Sequence, residues 1–155
     1  MGDFNSKRIM VAVDGSDASR EALGCAVDLA LALGCRLTVV TAIQTQLPGY
    51  RAGYFSFVDR HILKELRDFA VGVLDEARKT AEARGVALDP VSLEGEKDIW
   101  EQLADLVQQT PDAAFLVMGS YGHGVRERHI LGSTTQRLIT EIARRGLKVP
   151  VLVVP

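Results

Sequence analysis

A set of glycines followed by two hydroxyl residues, in the last third of the chain, has the composition of an anion-binding loop. The set consists of Gly119, Gly122, Gly124, Gly132, Ser133 and Thr134. A glycine has no Cβ, so its backbone N–H can approach a ligand closely. Hydroxyls beside a helix N-terminus add donors where the helix dipole already favours negative charge. These residues therefore predict phosphate binding.

The position of this loop favours a binding site over a simple connection. The loop directly follows the apolar run 113–118, which predicts a buried strand. Ligands of open α/β sheets bind beyond the carboxyl ends of the strands. The alternative is that the glycines only make a long strand-to-helix connection and that Ser133 only caps the following helix. The strand context favours phosphate or nucleotide binding.

A carboxylate stands at the end of the first predicted strand. Asp14 follows the apolar run 9–13, and its oxygens could accept hydrogen bonds from ribose hydroxyls or from the water shell of a metal ion. Alternatively, Asp14 forms an Asx turn or caps the helix behind it, and Asp17 could be that cap instead. Both kinds of role stay open, because one Asp can fill them together.

Apolar runs alternate with amphipathic stretches along the chain, which predicts βαβ units around a parallel sheet. Strands are predicted at 9–13, 37–43, 86–93, 113–118 and 149–155, and helices at 17–33, 59–84, 98–109 and 133–145. The first strand is continuously apolar and therefore central. Prolines favour edge positions for the third and last strands. The second helix is predicted to turn five residues inward: Ile62, Leu66, Phe69, Val73 and Ala77.

Composition limits the classes of partner. The 155 residues predict one globular domain with 47% hydrophobic and 25% charged residues. A net charge of -2 gives no general attraction to nucleic acid or anionic membranes. No apolar stretch approaches the roughly 20 residues of a membrane helix, and residues 1–8 lack the apolar core that would predict a secretory signal. Cys25 and Cys35 lie in apolar settings without metal-ligand spacing, which predicts reduced, buried thiols in a cytoplasmic protein.

Several nucleotide and catalytic signatures are missing from the sequence. There is no GxxxxGK[ST] phosphate loop, no GxGxxG after the first strand and no GxSxG nucleophile elbow. No general base, nucleophile or lysine is positioned for efficient phosphoryl transfer. These absences argue against a hydrolase or a dehydrogenase.

Three segments together resemble the universal stress protein family. They are Val11-Ala12-Val13-Asp14-Gly15-Ser16, the spacing Gly119-x2-Gly122-x9-Gly132-Ser133, and the final run 149–154. The resemblance covers nearly the whole chain. It implies a Rossmann-like α/β fold, a three-layer doubly wound sandwich of five parallel strands in the order 3-2-1-4-5. It also implies a homodimer formed through the C-terminal strand Val149–Val154, and ATP binding with Mg²⁺ or Mn²⁺ held through the phosphates.

The resemblance also assigns individual residues to a nucleotide. It places Asp14 at the ribose, the backbone of Ala42 near the adenine and Met118 against the nucleotide. Gly119 and Gly122 would line the phosphates. The full predicted nucleotide-binding set is Ala12, Val13, Asp14, Ala42, Met118, Gly119, Gly122, Gly132, Ser133 and Thr134, with the last three donating to phosphate.

Two segments depart from this pattern or extend it. Tyr121, His123 and His129 differ from the family's common residues, and the x9 segment is unusually polar. Arg126, Arg128 and His129 could reach phosphates, or could be solvated charges or dimer-rim contacts. The segment 44–57 holds Tyr50, Tyr54, Phe55 and Phe57; we favour packing of these rings onto the neighbouring helix, and a lid over the base or a partner patch is the alternative.

The sequence therefore predicts an ATP-binding, dimeric, cytoplasmic regulator of the stress response rather than an enzyme. Slow ATP hydrolysis, or self-phosphorylation on Ser133 or Thr134, is the most catalysis it would support. One alternative is an interaction module that functions without nucleotide. Another is a sensor of AMP or a cyclic nucleotide, in which the polar x9 segment closes on a single phosphate.

Overall fold

The computed structural model describes residues 3–46, 56–122 and 131–155. The strands are β1 (Arg8–Ala12), β2 (Arg36–Gln44), β3 (Leu88–Gly95), β4 (Ala113–Gly119) and β5 (Val151–Val154). The helices are α1 (Asp17–Leu33), α2 (Ser56–Ala83), α3 (Ile99–Gln108) and α4 (Ser133–Arg144), and a 3₁₀ turn, Phe4–Ser6, precedes β1. Each predicted element is present, with ends shifted by a few residues.

All five strands are parallel, in the order β3-β2-β1-β4-β5. This confirms the predicted topology, with β1 at the centre and β3 and β5 at the edges. Pro90 lies in β3, where the missing ladder donor can face away from the sheet.

Two hydrophobic cores lie on opposite faces of the sheet, because side chains alternate along each strand. Ile9 and Val11 pack with α1 and α2 on one face, whereas Met10 packs with α3 and α4 on the other. All three are at most 1% exposed. The continuous apolar sequence of β1 is thus explained by burial on both sides, and the fold is a three-layer sandwich.

The structure corrects the prediction for the inner face of α2. Val73 and Ala77 are buried, but Ile62, Leu66 and Phe69 are 42%, 40% and 54% exposed. The helix has 28 residues and is therefore about 42 Å long, whereas the nine residues of β2 span about 30 Å. The apolar periodicity of α2 therefore continues beyond the part of the helix that the sheet can cover.

The predicted burial of the two cysteines was also wrong. Cys25 and Cys35 are free thiols but only half-buried, since α1 and its end lie on the outside of the sheet; desolvation still raises the pKa of Cys35. Trp100 is half-buried against the α3–α4 core. Among the described ranges, no helix has the length and apolar composition needed to cross a bilayer.

Candidate functional site

A cavity of about 290 Å³ opens where β1, β2 and β4 end, beside the N-terminal turns of α3 and α4. Its volume is close to the lower end of the range for ligand sites, about 300 Å³. All ten residues predicted from the sequence line it: Ala12, Val13, Asp14, Ala42, Met118, Gly119, Gly122, Gly132, Ser133 and Thr134. The lining also includes Ser19, Val40, Ile99, Leu103, Tyr121 and Thr135.

One end of the cavity is the N-terminus of α4, where backbone donors are available. The N-cap is Gly132, which has no side-chain cap, so Ser133 is the first helical residue and not the cap. The first N–H groups of a helix have no intrahelical acceptor and favour an anion. This turn is fixed against the sheet, because the Thr135 hydroxyl donates to the Gly119 carbonyl at 2.9 Å.

Gly132 is constrained on both sides. Its N–H donates to the Ser120 carbonyl at 2.6 Å, and a Cβ at this position would lie 3.1 Å from the Tyr121 Cα. Because the N–H of Gly132 is engaged, donation to a phosphate falls to Ser133 and Thr134 in this arrangement. The glycine is needed here so that the two ends of the loop can approach each other.

Gly119 and Gly122 are required for close packing rather than for an unusual backbone conformation. Neither has a positive φ; the glycines that do are Gly15, Gly34, Gly85 and Gly146 among the described residues. A Cβ on Gly119 would lie 2.8 Å from the Cβ of Ala18 in α1, and one on Gly122 would lie 2.7 Å from the Asp14 Oδ2. The glycine loop is therefore pressed against α1 and against the carboxylate.

Asp14 forms the Asx turn that the sequence left open. Its Oδ1 accepts from the Ser16 N–H at 2.9 Å, and Gly15, at φ 82°, allows the turn. The cap of α1 is neither Asp14 nor Asp17 but Ser16, whose Oγ accepts from the Ser19 N–H at 3.2 Å. The turn holds the carboxylate at the cavity wall, with Oδ2 facing Gly122.

The other end of the cavity is apolar. Its walls are formed by five residues from β1, β2, α3 and β4: Ala12, Val40, Ile99, Leu103 and Met118. The Val13 N–H donates to the Val40 carbonyl at 2.8 Å, and β1 ends there. Alternate residues of a parallel strand turn their backbone groups to the same neighbour. Ala42 therefore presents its N–H and C=O to the space beyond the end of β1.

Ion pairs behind the cavity join the two helices that form its wall. Glu141 of α4 is 8% exposed, and its carboxylate accepts from Arg144 and Arg145. Hydrogen bonds from these two arginines lower the pKa of Glu141 to about 2. Arg145 also donates to Asp105 of α3 at 2.8 Å. The contact keeps α3 and α4 at a fixed separation.

The remaining predicted site features are these. No group of three or more His, Cys, Asp or Glu side chains that could hold a metal ion occurs in the described part of the chain. His123, Arg126, Arg128 and His129, and the side chains of Tyr50, Tyr54, Phe55 and Phe57, fall outside the described residues. Ile99 and Leu103 of α3 also line the cavity, which the spacing of residues in the sequence does not show.

The fold and the cavity define a doubly wound α/β protein with a ligand crevice at the switch point of its sheet. The profile of the Universal stress protein family matches residues 5–155, so the chain belongs to that family. No curated protein has a significantly matching sequence.

Solved structures of the same family are similar over nearly the whole chain. A family member from Burkholderia pseudomallei is 28% identical, with a TM-score of 0.70 and 97% of each chain covered. The universal stress protein UspA from Lactobacillus plantarum is 20% identical, with a TM-score of 0.81 and coverage of 97% of this chain and 98% of its own. A universal stress protein in complex with cAMP is 25% identical, with a TM-score of 0.62 and coverage of 96% and 95%.

Proposed function

We propose that this protein binds an adenine nucleotide, ATP in the first place, and acts as a dimeric, cytoplasmic, nucleotide-dependent regulator in the stress response. The observation that carries the proposal is the division of one cavity into an apolar end and an end with backbone N–H donors, with the Asp14 carboxylate at its wall. A nucleotide has the same division into base, ribose and phosphate.

The cavity residues match the parts of a nucleotide in turn. The base would lie between Val40, Leu103 and Met118, with the Ala42 N–H and C=O available to its polar edge. The ribose hydroxyls would donate to Asp14. The phosphates would accept from the first turn of α4 at Ser133 and Thr134. Mg²⁺ or Mn²⁺ would be held through the phosphates, since the described lining supplies a single carboxylate.

AMP or a cyclic nucleotide is the second candidate ligand. A related structure that is 25% identical holds cAMP, a single-phosphate adenine nucleotide. The described lining would suit one phosphate at the α4 N-terminus as well as three. Competition between ATP, AMP and cAMP for the same protein would rank them.

The dimer would form through the C-terminal strand Val149–Val154. β5 lies at the edge of the sheet and pairs with β4 on one side. A second copy would satisfy the backbone groups of its outer edge. Sedimentation equilibrium tests this, with Leu152→Lys expected to shift the protein toward monomer because Leu152 is exposed on β5.

Titration calorimetry of the nucleotide-free protein with Mg²⁺-ATP tests the binding site. In Gly122→Ala the new Cβ would lie 2.7 Å from Asp14 Oδ2, so it displaces a movable carboxylate and not the backbone. We expect about tenfold weaker binding, which corresponds to about 1.4 kcal/mol. Gly72→Ala is the matched control, because a Cβ there meets nothing within 4 Å.

Two results would contradict the proposal. One is a folded wild-type protein that binds none of the three nucleotides saturably. The other is a Gly122→Ala variant that binds as tightly as wild type. The first result would favour an interaction module that works without nucleotide. The second would show that the nucleotide binds away from Gly122 and Asp14.

A further inference from the structure

An ion pair joins the residue that precedes α3 to α4, close to the cavity. The Arg137 Nη1 lies 3.9 Å from the Asp98 Oδ2. Asp98 directly precedes α3, whose Ile99 and Leu103 line the cavity, and Arg137 lies one turn after Ser133 of α4. The pair therefore sits beside the two helix N-termini that form the cavity wall.

Asp98 has the residue type and position of an N-cap, but it does not cap its helix. Its side chain makes no capping hydrogen bond. Instead it accepts from Gln44 Nε2 at 2.9 Å and from Trp100 Nε1 at 3.2 Å. The carboxylate thus joins the end of β2 to the start of α3, and it stays hydrogen-bonded whether or not Arg137 is beside it.

Arg137 is held only loosely by this carboxylate. The separation of 3.9 Å is longer than a hydrogen bond, and the side chain is 63% exposed. An exposed pair of this kind contributes little to stability. Arg137 can therefore leave Asp98 at small cost.

Helix geometry directs Arg137 toward the donors at the start of α4. Side chains in a helix lean toward its N-terminus and lie over the preceding turn. Four residues of helix rise about 6 Å, a distance that an extended arginine side chain covers. The guanidinium can therefore reach the level of Ser133, where a phosphate would accept from the backbone.

We propose that Arg137 is a phosphate-binding residue of this site, whose guanidinium moves from Asp98 to the phosphate of a bound nucleotide. The inference rests on the proposed function. Asp14 is the only charged residue among the described lining residues, and its negative charge repels a phosphate. Arg137 supplies the compensating charge, with the planar fork that suits phosphate oxygens.

The test compares Arg137→Gln with wild type by calorimetric titration with adenosine, AMP and Mg²⁺-ATP. We expect AMP and ATP to bind about tenfold more weakly to the variant, the effect of one lost charge-assisted contact. Adenosine has no phosphate, so its affinity stays within about twofold. The affinity of wild type for AMP should also fall more steeply with ionic strength than that of the variant. Salt screens the attraction between Arg137 and the phosphate, which the variant lacks.

Two further variants separate this role from a general effect of charge. Arg144→Gln removes the same charge from the same helix, but Arg144 pairs with Glu141 away from the cavity, and we expect wild-type affinity. Arg137→Lys keeps the charge without the fork and should bind AMP with intermediate affinity.

Two outcomes would overturn the inference while leaving nucleotide binding in place. They are AMP affinity in Arg137→Gln equal to that of wild type, and an equal loss for adenosine and AMP, which would show that Arg137 only joins α3 to α4. A folded wild-type protein that binds neither adenosine nor the nucleotides would instead overturn the proposed function, and this inference with it.

Discussion

The sheet has an amino edge, where its strands begin, and a carboxyl edge, where they end. The two satisfy their polar groups in different ways. At the amino edge, Arg8 at the start of β1 donates to Asp112 at 3.1 Å and to Thr38 at 2.8 Å. Arg36 at the start of β2 donates to the same carboxylate at 2.9 Å. Burial alone would raise the pKa of Asp112, but the hydrogen bond and charge of Arg8, with Arg36, lower it.

At the carboxyl edge, the described residues line the cavity. Ala42 of β2 lies past the point where the neighbouring strand β1 ends. Helix α4 begins at a glycine without a side-chain cap. Small residues keep the space open there, whereas arginines and carboxylates close the opposite edge. The comparison indicates that the ion pairs of Asp112 with Arg8 and Arg36 join the starts of the strands, whereas the cavity occupies the carboxyl edge and the ion pair there, Asp98 with Arg137, is more exposed.

The largest change in stability should come from Gly119, a residue of the carboxyl edge that is needed for packing. Gly119 lies at the carboxyl edge, but a Cβ there would lie 2.8 Å from the Ala18 Cβ and 2.9 Å from the Ala18 carbonyl carbon. Backbone cannot move aside as a side chain can, so Gly119→Ala should lower the free energy of unfolding by about 1–3 kcal/mol. Urea denaturation measures it, with Gly72→Ala as control; equal stability of the two variants would show that α1 shifts freely.

The next effect concerns Glu141, behind the cavity, and it depends on pH. The folded-state pKa of about 2 lies below the ordinary value of 4.5, so its contribution is complete above the ordinary pKa and is lost as pH falls toward 2. Urea midpoints of wild type and Glu141→Gln should therefore differ most at neutral pH and converge in acid. A difference that stays constant from pH 7 to pH 3 would contradict the lowered pKa.

The smallest effect should come from the amino edge. Asp112→Asn keeps the shape but weakens the pairing with Arg8 and Arg36, and we expect a loss of about 1 kcal/mol in unfolding free energy. Nucleotide affinity should stay unchanged, because Asp112 lies at the far edge. Asp28→Asn breaks one exposed pair with Arg84 and should change stability by less than about 0.5 kcal/mol. Weaker nucleotide binding in Asp112→Asn would mean that the two edges are coupled.

The fold was predictable because its signals are local. Ile9, Met10 and Val11 in sequence require a strand buried on both faces, and the alternation of strands and helices requires parallel crossovers. The failure at Ile62 and Phe69 has a physical reason. Periodicity shows which face of a helix is apolar but not how far the neighbouring sheet extends.

The lining of the cavity was predictable where one element supplies the feature, as in the glycine spacing and the carboxylate after β1. Contacts between separate elements were not. Asp98 reads as an ordinary helix cap, and its hydrogen bonds to Gln44 and Trp100 depend on the meeting of β2 and α3. The packing of Gly119 on Ala18 likewise depends on the placement of α1, which spacing alone does not give.

The hydrogen bond from the Gly132 N–H to the Ser120 carbonyl means that the chain leaves the sheet and returns to it at one point. The end of β4 and the start of α4 are therefore joined directly, whatever residues connect them along the chain. Because loop closure costs grow slowly with length, a change in the number of residues between these two positions should cost little stability. The first turn of α4 is therefore held at the end of β4 by this hydrogen bond and by the Thr135–Gly119 contact, and a change in the intervening residues should leave that turn in place.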